Sequence, residues 1–187
     1  METLFRKKQR WIPIILSVAL FSFLVNEGNA QTSKQWSRDS LIILARNIIK
    51  AATCNVFISV DENGKPHARE MTPFPPEEDW KIWLGTSQGS RKTKQIQYNP
   101  NVIVFYYDPQ SWSSVSVAGK ARLVNDPDKK SKYWIEGWQR YYPDRDKNYI
   151  LIEVTPENIE VLSLKNNILW NSQGAPQSVD FLSKPNK

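Results

Sequence analysis

The stretch from Ile82 to Pro100, Ile-Trp-Leu-Gly-Thr-Ser-Gln-Gly-Ser-Arg-Lys-Thr-Lys-Gln-Ile-Gln-Tyr-Asn-Pro, constrains the fold more than any other part of this chain. Its first residues place bulky apolar side chains as a half-buried strand does. Gly85 to Ser90 is small and polar, which reads as a turn. Arg91 to Tyr98 then runs without a breaker in a helical pattern, and Asn99-Pro100 stops it. The prediction is a strand, a polar turn and a short helix whose first turn carries Ser90, Arg91 and Lys92. The opening N–H groups of a helix lack intrahelical partners, and the helix dipole there favours negative charge. Thr86, Ser87 and Ser90 add hydroxyls, Arg91 a planar fork of donors and Lys92 a point charge, so the segment suits an anion such as a phosphate. The same residues also suit a capped surface helix with a solvated basic face.

The rest of the chain supplies β structure around this segment. Cys54 to Val60 is rich in β-branched and aromatic residues, and Asp61-Glu62-Asn63-Gly64 is a hairpin turn, because Asn-Gly accepts positive φ cheaply. Pro66 to about Thr72 is the return strand, and Thr72 to Asp79, with three prolines, is a loop. Val102–Tyr107 and Ser114–Val124 read as strands, with Gly119 permitting a bend in the second. Tyr149–Val154 and Ile159–Leu164 read as two closing strands. Two helices flank them. Leu41, Leu44, Ala45, Ile48 and Ile49 recur at helical spacing through about Ala52. Asn125-Asp126-Pro127 opens a second helix, expected to reach about Gln139 with Tyr133, Trp134 and Trp138 on its apolar side and Lys129 and Lys130 on a solvated face. The class is mainly β with flanking helices (α+β).

Residues 1–30 have the form of a secretory signal: a basic start from Arg6 to Arg10, an apolar run from Trp11 to Val25, and Gly28-Asn29-Ala30 before a cleavage point. An uncleaved membrane anchor is the alternative. The expected organisation is a signal peptide at 1–30, one domain at 31–164 and a polar C-terminal tail at 165–187, pinned by Trp170 and Phe181. Without residues 1–30 the net charge falls from +6 to +4, which permits an anionic ligand and gives no case for nucleic acid. The single Cys54 excludes a disulfide within the chain and reads as a small core residue. His67 is the only histidine, reads as a surface residue beside the turn, and has no ligand-spaced partners for a metal site. Walker, Rossmann, Gly-x-Ser-x-Gly and zinc patterns are all missing, so any catalysis is expected to be carried by a cofactor. With eight tryptophans in the chain, one or two of Trp80, Trp83, Trp112, Trp134 and Trp138 are open to lining a flat ligand, although core and interface packing explains each one singly.

Thr86-Ser-Gln-Gly-Ser-Arg-Lys92 followed by Asn99-Pro100 resembles the pyridoxamine 5'-phosphate oxidase-like flavoproteins, over about Leu41 to Leu162 and most closely their short general stress protein branch. The resemblance implies a split β-barrel that binds FMN at a homodimer interface. It implies that Arg69 on the return strand reaches the cofactor phosphate and that Glu70, Met71 and Thr72 lay their backbone along the flavin ring. Gly85, Thr86, Ser87, Ser90, Arg91 and Lys92 complete the implied cofactor set, and Ser114 stands where the vitamin B6 oxidases carry a glutamine near the flavin. The substrate half of the pattern is missing: no histidine follows His67, and Phe74 replaces a lysine. Specific pyridoxamine phosphate oxidation is therefore not expected. The expectation is an exported FMN-binding oxidoreductase of unassigned substrate. The alternatives are a non-enzymatic binder of a flavin, haem or another anionic planar ligand, and an interaction protein whose pocket has decayed.

Overall fold

The computed structural model describes residues 36–53, 55–72, 74–171 and 173–182. The expected signal peptide at 1–30 and Cys54 lie outside the described residues. Helix α1 (Arg38–Ala51) starts a turn before the apolar pattern does, because Ser37 caps it by accepting the Ser40 N–H at 3.2 Å. Its buried stripe is Leu41, Ala45, Ile48 and Ile49, as the spacing predicts.

Seven strands form one open antiparallel sheet: β1 (Asn55–Val60), β2 (Pro66–Met71), β3 (Ile82–Ser87), β4 (Asn101–Asp108), β5 (Ser113–Val124), β6 (Tyr149–Ser163) and β7 (Gln177–Asp180). Their order is β2-β1-β4-β5-β6-β3, and β7 also pairs with β6. This is the mainly β architecture with flanking helices that the sequence predicts. The β1–β2 turn closes as expected. Gly64 takes φ 77°, and the Asp61 carboxylate accepts the N–H groups of Asn63 and Lys65.

Period-two alternation puts one face of the sheet into the core. One register row runs Arg69, Phe57, Val104, Val117, Ile159 and Val179 across six strands, and its apolar members are buried. Each such side chain contributes roughly 1.5–3 kcal/mol by leaving water. Arg69 therefore stands at the edge of a core row, its guanidinium 5.6 Å from the centre of the Phe57 ring. Val56, Ile58, Ile103, Phe105, Tyr107, Ser114, Ser116 and Leu162 alternate onto the other face.

A second, aromatic layer covers the outer side of β3. Trp83, Tyr133, Tyr149 and Leu151 are buried there, with Phe74, Trp134, Trp138 and Tyr142 packed around them. This layer explains why the helix expected from Pro127 to Gln139 is shorter. Helix α3 (Pro127–Lys132) ends where Tyr133 leaves helical geometry, and Gly137 takes φ 90° before a short 3₁₀ turn (Trp138–Arg140). The Tyr133 carbonyl accepts the Tyr149 hydroxyl at 2.5 Å instead of continuing the helix. Helix α4 (Arg145–Asn148) then leads into β6. Lys129 and Lys130 are not on a solvated face. Lys129 lies over the Trp83 ring, and Lys130 is buried, donating to Asn125 Oδ1 and to the Asp146 carbonyl.

Two further expectations are corrected. The two closing strands are one continuous strand, β6, although Pro156 sits in its middle. A register shift between Ala118 and Gly119 lets Pro156 face Gly119, where a side chain on β5 would strike the Thr155 carbonyl. The C-terminal segment, expected as a tail, adds β7 to the sheet. Phe181 secures it against Trp80 at 5.4 Å, whereas Trp170 is exposed.

Candidate functional site

The polar turn after β3 and helix α2 (Arg91–Tyr98) form as the sequence predicts. Gly89 takes φ 78°, which turns the chain, and Ser90 is the N-cap. Its hydroxyl makes no capping bond. It lies 3.4 Å from Thr86 Oγ1 at the end of β3, and the Thr93 hydroxyl binds the Ser90 carbonyl at 2.7 Å. The Lys92 ammonium donates to Thr86 Oγ1 at 3.0 Å. From the other end of the sheet path, Arg69 on β2 comes to the same helix. It donates to Ser59 Oγ at 2.7 Å, to Gln95 Oε1 at 3.0 Å and, more weakly, to the Phe57 carbonyl at 3.4 Å. Ser59 also donates to Gln95 Oε1 at 2.6 Å, so the guanidinium is held in place by neutral acceptors.

Arg69, Arg91 and Lys92 thus gather around the start of α2. Among the described residues none of the three has a carboxylate within ion-pair distance. Burial, then the charges of Arg69 and Arg91, pushes the Lys92 amine below its ordinary range, and burial followed by Arg91 acts on Arg69 in the same direction. Three cations that repel one another, set beside two hydroxyls and a helix N-terminus, are relieved by a bound anion. The arrangement carries no acid–base pair. His67 lies outside it, bonded to Asp61 at 2.8 Å, and among the described residues no group of three His, Cys, Asp or Glu is placed to hold a metal.

The other residues expected at the site fall in different places. Met71 shares the inward face with Arg69 and packs on the core, and Thr72 is exposed just past β2. Glu70 and Ser114 lie on the opposite face of the sheet, so within one chain they do not join the cationic cluster. Gly85 alternates away from Thr86 and faces the aromatic layer. A Cβ there would sit 2.6 Å from the Tyr149 hydroxyl and 2.7 Å from the Trp138 ring. Ser87 follows it outward, toward Tyr142. Ser59 and Gln95 were missed in the sequence. Their signal was available: Ser59 is a polar residue at an inward position of an apolar strand, and Gln95 stands one helical turn after Arg91.

The fold is that of a small antiparallel sheet protein in which a hairpin strand and a helix start bring three cations together. The family described as "Pyridoxamine 5'-phosphate oxidase like" matches residues 43–175, and the chain belongs to that family. It is 35% identical over 106 residues to General stress protein 26 of Bacillus subtilis (strain 168), a match covering 54% of this chain and 74% of that protein. It is also similar to the crystal structure of General Stress Protein 26 from Bacillus anthracis str. Sterne, with 27% identity, a TM-score of 0.60, and 75% and 98% of the two chains covered. A pyridoxamine 5'-phosphate oxidase-related, FMN binding protein from Nostoc punctiforme shares the fold at 17% identity, with a TM-score of 0.58 over 79% of this chain and 98% of its own.

Proposed function

We propose that this protein is an exported, homodimeric flavin-binding member of its family that holds the phosphate of FMN and serves as an oxidoreductase. The observation that carries the reading is the cluster of Arg69, Arg91 and Lys92, with hydroxyls of Thr86 and Ser90 beside it and no carboxylate partner among the described residues. This donor set fits a dianionic phosphate: two half-buried cations, two hydroxyls and helix N–H groups converge there. Bound flavin would supply the electron-transfer chemistry on its ring. The chain's own part is to anchor the phosphate and, through the β2 strand from Arg69 to Thr72, to offer backbone beside the ring. The family and the FMN binding relative support this assignment.

The face of the sheet opposite the core supports the homodimer. Ile103 and Tyr107 are exposed there, and Ile58, Phe105 and Leu162 are half-buried. Phe74 packs against Tyr133 and Trp138, so the place of the family's substrate-side lysine serves the aromatic layer, and pyridoxamine phosphate is not the substrate proposed.

The test is a titration of the mature chain with FMN and with riboflavin, followed by flavin fluorescence, for wild type and Lys92→Met. Among the described residues the Lys92 ammonium donates only to the Thr86 hydroxyl, so its loss should leave the fold intact. Wild type should prefer FMN. Lys92→Met should lose about 1.5–3 kcal/mol of FMN binding, roughly ten- to hundredfold in affinity, and little riboflavin binding. A wild-type protein that binds neither flavin, or both equally, overturns the reading.

A further inference from the structure

The inward stripe of β1 is Asn55, Phe57 and Ser59, all of them buried. Its two polar members differ. Ser59 donates to Gln95 Oε1 and accepts from Arg69, so its hydroxyl is engaged on both counts. Asn55, at the start of the strand, is 1% exposed, and neither its amide nitrogen nor its amide oxygen has a hydrogen-bond partner among the described residues. The Tyr106 hydroxyl on β4 is in the same condition, on a side chain that is completely buried.

The two residues are neighbours. Asn55 faces Tyr106 in the β1–β4 ladder, and both belong to the buried, inward positions of their strands. Directly opposed residues hold their Cβ atoms about 4.5–5.5 Å apart. Even so, the amide and the hydroxyl do not bond each other. Their other flanks are apolar: Met71 stands opposite Asn55 on β2, and Val115 stands opposite Tyr106 on β5. Burial pushes the Tyr106 hydroxyl above the usual tyrosine range, so it keeps its proton and can donate as well as accept. The amide offers two N–H donors and a carbonyl acceptor. Taking such groups out of water without a partner costs more than one hydrogen bond within a protein returns. Polar groups that lie close together without reaching one another are what a bound water joins.

We propose that Asn55 and Tyr106 form a buried hydration site, in which a water molecule bridges the Asn55 amide to the Tyr106 hydroxyl. The inference is independent of the flavin reading. The bridge is directional, unlike the apolar contacts around it, so it marks the register of β1 on β4. A slip of one residue would turn Asn55 to the other face of the sheet and take it away from Tyr106.

The experiment is a high-resolution crystal structure of the wild-type mature chain, together with thermal denaturation of Asn55→Leu, Tyr106→Phe and the double variant. The crystal structure should show an ordered water within hydrogen-bond distance of both the Asn55 amide and Tyr106 Oη. Each single variant should lower Tm by about 2–4 °C, because it breaks the bridge and strands the remaining partner. The double variant should lower Tm by clearly less than the sum of the two, since the second change removes a group already stranded. A well-ordered core with no water there, or with the amide bonded directly to the hydroxyl, overturns the inference. So do additive effects, or single variants that melt at or above wild type, which is the result expected when unpaired polar atoms are simply removed. The wild-type crystal structure needs no variant, so the proposal is still decided if a substituted chain fails to fold.

Discussion

Gly85→Ala should destabilise the protein without touching the cationic cluster. The added methyl would lie 2.6 Å from the Tyr149 hydroxyl and 2.7 Å from ring atoms of Tyr149 and Trp138. Tyr149 cannot retreat. It is fully buried, its hydroxyl donates to the Tyr133 carbonyl at 2.5 Å, and its ring meets Tyr142 at 4.9 Å and Trp134 at 5.3 Å. Overpacking of this kind costs about 1–3 kcal/mol, and the tied hydroxyl argues for the upper end. Replacing glycine in a strand returns about 0.5–1 kcal/mol of backbone entropy, so the clash wins by about 2 kcal/mol. For a domain of this size that lowers Tm by roughly 4–8 °C. Urea and thermal denaturation followed by tryptophan fluorescence measure it. Trp138→Ala supplies the second arm of a double-mutant cycle: in that background the alanine at 85 should cost about 1 kcal/mol less. Flavin affinity per folded molecule should match wild type. A Gly85→Ala protein that melts within a degree of wild type, or whose penalty ignores Trp138, refutes the account of the aromatic layer.

Three further outcomes follow from the geometry. The Lys132 ammonium and the Tyr133 hydroxyl hold the Glu77 carboxyl at about 2, against an ordinary value near 4.5. Because the folded value is depressed, its contribution to stability is present above about pH 4.5 and is lost as pH falls toward 2. Urea denaturation from about pH 7 to about pH 2 should therefore show a gap between wild type and Glu77→Gln that is constant above roughly pH 5 and closes on acidification. Gly119→Ala would put a Cβ 2.3 Å from the Thr155 carbonyl, a backbone atom with nowhere to go. The cost should be about 3 kcal/mol, read from the denaturation midpoint and the soluble yield. Lys130→Ala removes a buried amine that ties Asn125 to the Asp146 carbonyl, and should cost about 1–3 kcal/mol in the same assay.

What could be read from the sequence was what is settled within a dozen residues. The β1–β2 hairpin, β3, the polar turn and α2 are each declared by alternation, by Asn-Gly or Asn-Pro punctuation, and by helical spacing. The convergence of Thr86, Ser90 and Lys92 is equally local, because a strand end and the helix that follows it place them together. Other features are decided across long separations. Gly85 looks like a turn glycine beside a ligand until Tyr149 and Trp138 arrive against it. Pro156 looks like a strand break until Gly119 is placed opposite. Tyr133, Trp134 and Trp138 have helical spacing, yet the aromatic layer and the Tyr149 hydroxyl claim them before the helix can go on. The grip of Ser59 and Gln95 on Arg69 joins three elements, and no single window of sequence contains it.

Strand β3 has one ladder partner among the described residues, the first half of β6: Ile82 faces Val154 and Ser87 faces Tyr149. During synthesis β2, β4 and β5 can pair as soon as each appears, since each lies beside a strand already made. Strand β3 is made third and must wait for nearly the whole chain. Pairing at such separation is slow, because the loop entropy is lost before the contacts form. Thr86, at the end of β3, is therefore among the last side chains to be placed, and the cationic cluster is completed only when the core is. A chain that stops short of Tyr149 would keep the four-stranded sheet β2-β1-β4-β5 but leave β3 with no ladder. Folding of this protein and assembly of its site are one late event.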